Sequence, residues 1–345
     1  MEVLYKLWES SWSDDAIIRD IDGDAYFDPD RIRHISHHGK YYNLDTKFIT
    51  QPSPQRTPFL FQAGTSSAGS AFAAKHAEAI FVSSHDPSIL KPKIAKIKKL
   101  AEADGRHPDS LKFFSTFTPI IGRTDEEALH KFRRAQGYAS TIGGLVLFSG
   151  WTGIDISEIP LDQVIRAEDS TAAGKITSIM SAFTTTSEQV PKWTPRIVGE
   201  KGSIGGLGPV CVGTPQTVAD EMERWIEEGG LDGFNVAYVT TPGTFEDVVG
   251  LLIPELRRRG LYPQKRTAGG EGEEPQTARE KIYGAGQSAL RHDHFGSSFK
   301  YSAANHGAEV ANDSNHSKPH VSRHEPVEAN GWMSAREDPV ACQIG

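Results

Sequence analysis

Cysteine is nearly absent from this 345-residue chain, which has only Cys211 and Cys342. Two cysteines cannot build the disulfide framework that small secreted domains need. The opening MEVLYKLWESSW also lacks a basic stretch followed by an apolar one. A soluble protein in a reducing, cytoplasmic setting is expected. Positive charge is in deficit as well, with 37 Lys and Arg against 45 Asp and Glu and a formal net charge of −8. Nucleic-acid backbones and anionic membrane surfaces attract the opposite balance, so neither is expected as a partner. No stretch approaches the roughly 18 to 20 uninterrupted apolar residues that span a bilayer.

Several chemical fingerprints are missing too. The glycines at 202, 205, 206 and 208 do not form the spacing that follows a strand in a dinucleotide-binding unit, and no G-x-S-x-G nucleophile elbow occurs. Asp20, Asp22 and Asp24 begin like a calcium loop, but Ala25 stands where that loop needs glycine and Arg31 where it needs a bidentate Glu. They read as an acidic turn. His34, His37 and His38 precede Gly39 in what reads as an irregular segment without a carboxylate at ligand spacing. No metal site is expected.

What is present is an alternation of short apolar runs with helical patterns. Pro58 to Gly64, Ala79 to Ser83, Leu111 to Gly122, Gly208 to Gly213 and Gly233 to Gly243 read as buried strands. Between them, Ser88 to Ala103 repeats Ile and Leu every three to four residues, and Thr124 and Thr214-Pro215 open helices with capping residues. Such repetition implies a doubly wound parallel sheet or a (β/α) barrel. From Arg266 to Gly345 only nine residues are Leu, Ile, Val or Phe, too few for a core, so 263–345 is expected to be a disordered low-complexity tail behind a domain of residues 1–262. Its six histidines (His292, His294, His306, His316, His320 and His324) match no zinc spacing, and Asn312 and Asn315 open glycosylation sequons that read as chance matches.

One segment carries a chemical suggestion. In Phe61-Gln62-Ala63-Gly64-Thr65-Ser66-Ser67-Ala68-Gly69, a strand runs into a Gly and Ser turn that begins a helix. Unpaired backbone N–H groups and two hydroxyls would converge at the positive end of the helix dipole, which suits an anion. A turn that merely caps a helix has the same composition, so both readings stand at this point. Trp151, Trp193 and Asn235 are candidates for a substrate cleft, with packing as the plainer role.

Four separated stretches, Tyr5 to Trp12, Pro52 to Val82, Ser149 to Ser157 and Gly208 to Gly260, resemble the bacterial luciferase-like flavin monooxygenases. The branch is that of the nitrilotriacetate, dibenzothiophene sulfone and dimethyl sulfide monooxygenases. The resemblance implies a (β/α)8 TIM-barrel fold and a two-component enzyme that uses reduced FMN and oxygen on a small organosulfur, amine or related substrate. It further implies a separate NAD(P)H:flavin reductase as partner, a homo-oligomer, and an FMN phosphate held by Ser66 and Ser67 with Ala63 and Gly64 leading into the loop. On the same pattern Pro58 to Gly64 would be barrel strand five and Gly233 to Val239 strand eight. The expectation is therefore a chain carrying only about strands five to eight, with insertions. A catalytically silent half-barrel that packs against another chain is the alternative.

Overall fold

The computed structural model describes residues 1–165, 183, 185–188, 190–264 and 276–301. Its centre is a sheet of five parallel strands, β5 (Phe61–Ala63), β6 (Ala79–Val82), β7 (Lys112–Ile121), β8 (Val210–Gly213) and β9 (Gly233–Val236). β7 is the hub. β6 pairs with its lower half and β8 with its upper half, while β9 pairs with Phe114 to Phe117. The strands form where the apolar runs lie, because a sheet covered by helices selects continuous Ile, Val and Phe over alternation.

The chain opens with the short helix α1 (Glu2–Tyr5), and the helices that cover the sheet are α2 (Ser67–His76), α3 (Leu90–Ala103), α4 (Asp125–Gln136), α7 (Pro215–Gly229) and the pair α8 (Gly243–Asp247) and α9 (Ile253–Arg258). One sheet face, through Ile80, Val82, Phe113 and Phe117, joins Ile94, Ile97, Val218, Met222 and Trp225 in the main core. A second apolar cluster sits between β7 and β8 in sequence. There α5 (Thr141–Thr152) crosses α6 (Pro195–Ser203), and Leu145, Phe148, Phe183, Trp193 and Val198 pack together. The crossing is so close that a Cβ on Gly144 would lie 1.9 Å from the Gly199 carbonyl oxygen, so only glycine fits there.

Two expectations are corrected here. The expectation of a half-barrel holding only strands five to eight does not stand, because nine strands are present among the described residues, four of them before Pro58. β1 (Ile17–Asp20) pairs with β2 (Ala25–Phe27), and β3 (His34–His38) with β4 (Asn43–Lys47), as two antiparallel hairpins. The histidine segment is thus a regular strand, and Asp20 ends β1, its carboxylate accepting from the Gly23 amide of the following turn at 3.0 Å. These strands escape a search for apolar runs because β1 and β2 are short and mostly exposed, while β3 and β4 carry His, Ser, Asn, Asp and Lys at alternate positions.

The second correction concerns the tail. Residues 276–301 fold as part of the unit Met1–Tyr301, with α10 (Ala278–Tyr283) opened by a capping box between Thr277 and Glu280. Arg279 is fully buried and grips both oxygens of Glu78 at 2.7 and 2.9 Å. His294, 2% exposed, packs edge-on against Tyr5. Its Nε2 bonds the His76 carbonyl at 3.0 Å and its Nδ1 accepts from the Gly296 amide. This segment is held mainly by side-chain hydrogen bonds, which a count of aliphatic residues does not register. The sequons and His306, His316, His320 and His324 lie outside the described residues.

Burial, reinforced by the nearby Arg106 guanidinium, lowers the His294 imidazole to about 4, and burial lowers His76 to about 4 as well. A neutral ring is what the geometry requires, since Nδ1 is already an acceptor. Unfolding exposes both rings to protonation near their ordinary value of about 6.5. Stability from this source is therefore complete above about pH 6.5 and is lost as the pH falls towards 4, by on the order of 2–3 kcal/mol for His294. Urea midpoints between pH 7 and pH 4.5 should fall steeply, and His294→Gln should flatten that slope.

Candidate functional site

Parallel strands place all their carboxyl ends on one side, where ligands of such sheets bind. The turn after β5 lies there. Gly64 has φ +102°, a conformation that suits glycine, and lets the chain bend sharply from Ala63 towards the helix. Ser66 is the N-cap of α2 and its Oγ accepts from the Gly69 amide at 3.1 Å. Gly69 must stay small, because a Cβ would come within 2.8 Å of the Gly64 carbonyl oxygen. Ala63, Gly64, Ser66, Ser67 and Ala68 are all exposed, which leaves the amides of Ser67 and Ala68 and both hydroxyls for a ligand, while the Gly69 amide is taken by the cap. The set can accept an anion of phosphate size without burying an unpaired donor.

Beside this loop the uncovered face of the sheet is aromatic. Ala63 pairs with Phe81, and Phe61, 51% exposed, stacks on Phe81 with centroids 5.2 Å apart and planes at 13°. Phe114 completes the surface at 6.1 Å from Phe61. The Phe114 ring is inclined at 58° to Phe61 and 61° to Phe81, so only the first two rings are near coplanar, and sequence reasoning does not find this apolar platform. Its signal is the placement of phenylalanines at 61, 81 and 114, which strand register carries to one face.

The other candidates separate. Trp193 is 2% exposed and packs on Phe183 and His85, so it is a core residue; Trp151 flanks the same cluster. Asn235 is exposed on β9. His85 follows β6, and burial, with Lys201 nearby, lowers it to about 3, leaving it neutral. Burial pushes the Cys211 thiol up to about 12, which removes it as a nucleophile. Among the described residues no three His, Cys, Asp or Glu gather to hold a metal ion, and no helix is long and apolar enough to cross a membrane.

Two cavities lie away from the loop. One of about 540 Å³ opens between the upper edge of β7, α4 and the segment after β9, with Lys131, Arg134, Tyr138, Thr240 and Glu246 on its wall. The other, about 580 Å³, lies between α4, α6 and β8 and includes Gln136 and Lys201. Neither is lined by Ala63, Gly64, Ser66 or Ser67.

The two serines have separable structural roles. Ser66→Ala removes a cap and should cost about 0.5–2 kcal/mol. Ser67, exposed at the first helical position, should tolerate Ala within about 0.5 kcal/mol. Urea denaturation of the two variants checks this, and equal losses would contradict the capping geometry.

Residues 2–233 match the model of the luciferase-like monooxygenase family. The chain is 40% identical over 327 residues to the dimethyl-sulfide monooxygenase of Hyphomicrobium sulfonivorans, covering 95% of this chain and 65% of that protein. It is 40% identical over 305 residues to the long-chain alkane monooxygenase of Geobacillus thermodenitrificans, covering 88% and 62%. The chain thus spans somewhat under two thirds of the length of these relatives. The crystal structure of DmoA from H. sulfonivorans superimposes with a TM-score of 0.72 over 88% of this chain and 64% of that one. A riboflavin lyase with modified FMN and riboflavin superimposes with a TM-score of 0.72 at 32% identity, again over 88% and 64%. With a family match across most of its length and relatives at 40% identity, this chain belongs to the luciferase-like monooxygenase family.

Proposed function

We propose that the chain is the oxygenating component of a two-component flavin monooxygenase that acts on a small organic substrate. The observation that carries this reading is the loop Ala63 to Ser67, which offers exposed donors at the start of α2 beside an aromatic platform. FMN has a matching shape, a dianionic phosphate joined through a ribityl chain to a flat ring. On this reading the first-turn amides and the Ser66 and Ser67 hydroxyls bind the phosphate, each charge-assisted bond contributing about 1.5–3 kcal/mol when aligned. Phe61, Phe81 and Phe114 offer the ring side an apolar surface. Reduced FMN, when bound, supplies the electrons for activating oxygen. The protein's part is to hold the cofactor in one orientation and keep water from the reacting atoms.

The family and the relatives named above support the same class. One relative is a monooxygenase of dimethyl sulfide and another of long-chain alkanes, and the riboflavin lyase structure contains a flavin. A small organosulfur or aliphatic substrate, a separate NAD(P)H:flavin reductase and a homo-oligomeric state are proposed on that footing. A cytoplasmic location belongs to the same reading.

Comparing FMN with riboflavin isolates the phosphate. FMN, oxidised or reduced under anaerobic conditions, should bind the full chain at least tenfold tighter than riboflavin. Ser67→Asp, which sets a carboxylate against the phosphate, should erase that preference while leaving riboflavin affinity within twofold. Equal affinity for the two flavins in the unmutated chain would remove the phosphate from this loop. Product analysis with a supplied reductase and dimethyl sulfide then tests the activity itself.

A further inference from the structure

β5 is the shortest strand of the central sheet. It has three residues, Phe61 to Ala63, and its only strand partner among the described residues is β6. Yet it delivers the loop that carries Gly64, Ser66 and Ser67. A strand this short has little register energy of its own, so something else must set its height in the sheet.

That constraint lies at its amino end. The Leu60 amide donates to Glu78 Oε2 at 3.1 Å, and the Leu60 carbonyl accepts from both the Glu78 and Ala79 amides. Glu78 is in turn held by Arg279, whose Nε and Nη2 take its two oxygens. The remaining guanidinium donors reach the carbonyls of Gln55 at 3.1 Å, Thr57 at 2.9 Å, Pro58 at 3.3 Å and Ser288 at 2.6 Å. The same fork therefore binds the chain just before β5, the residue just before β6, and the C-terminal segment. Glu78 and Arg279 are 2% and 0% exposed.

We infer that Arg279 is a positioning residue for the flavin phosphate loop, acting through Glu78 and Leu60 to fix the height of β5. The inference rests on the reading of that loop as the phosphate site. It also gives the segment 276–301 a part in the site, although that segment lies beyond the residues that define the family match. A planar fork with five donors in fixed geometry reaches these six acceptors, with one Nη2 hydrogen shared between the Thr57 and Pro58 carbonyls; a lysine cannot. Exchange of the fork for a lysine leaves charge in place but frees β5 to slide or tilt, which moves the phosphate donors, and Phe61 with them, while Phe81 and Phe114 stay on β6 and β7.

The test is the ratio of FMN to riboflavin affinity in Arg279→Lys and Glu78→Gln, with Tyr283→Phe as a control in the same segment. Tyr283 bonds the Ser110 and Glu78 carbonyls and touches neither Leu60 nor β5 through its hydroxyl. Both fork variants should lower the preference for FMN over riboflavin at least tenfold, any loss of riboflavin affinity being the smaller of the two. The control should keep the preference even if its melting temperature falls. General loosening would weaken both flavins together and would overturn the inference. A second measurement needs no variant: in the unmutated chain FMN should slow hydrogen exchange at the Leu60 amide and riboflavin should not, because coupling between two sites is reciprocal. No slowing overturns the inference too. If the unmutated chain does not prefer FMN, the phosphate reading fails and this inference with it; if it does and the folded fork variants keep that preference, only the positioning role is lost.

Discussion

Parallel pairing is the constraint from which the remaining arrangement follows. β5, β6, β7 and β9 run the same way, so every loop leaving a carboxyl end opens on one side and every segment arriving at an amino end lies on the other. The Gly64 to Ser67 turn and the upper edge of β7 fall on the first side. Glu78, Ser110 and the carbonyls of Thr57 and Pro58 fall on the second, where Arg279 and Tyr283 reach them. The proposed binding loop and the polar closure thus lie at opposite ends of the strands.

The closure is polar, and that has an energetic consequence. Burying a guanidinium and a carboxylate costs several kcal/mol of desolvation per ion, which their attraction offsets only when the remaining donors and acceptors are filled. Here all the guanidinium nitrogens of Arg279 are engaged, on Glu78 and four carbonyls. Such a contact contributes little net stability over an apolar replacement, but it discriminates sharply against any other placement of 276–301. His294 behaves alike, with one ring nitrogen donating and the other accepting, so a single tautomer fits.

Legibility in the sequence followed burial. Ala79 to Val82, the stretch Phe113 to Ile121 and the run before Gly213 are apolar because helices cover them, and a search for apolar runs finds them. β3 and β4 have no such cover: Ile35 is the one buried residue of β3, and β4 has none. Alternation that weak is indistinguishable from a polar loop without a partner strand in view. The segment 276–301 escapes for a different reason, since Arg279, Tyr283 and His294 hold it through hydrogen bonds that depend on residues some two hundred positions away. The turn after β5 could be read locally, because a strand, a Gly, a serine cap and a helix are all adjacent in the chain. The platform of Phe61, Phe81 and Phe114 could not, since it exists only once three strands are in register.

The central claim is that the loop after β5 holds the phosphate of FMN. A crystal structure of the full chain with FMN places that group directly. The account predicts phosphate oxygens within about 2.7–3.2 Å of the Ser67 and Ala68 amides and the serine hydroxyls, with the ring over the Phe81 side of the sheet. A phosphate instead beside Lys131 and Arg134, in the cavity between β7 and α4, would contradict it.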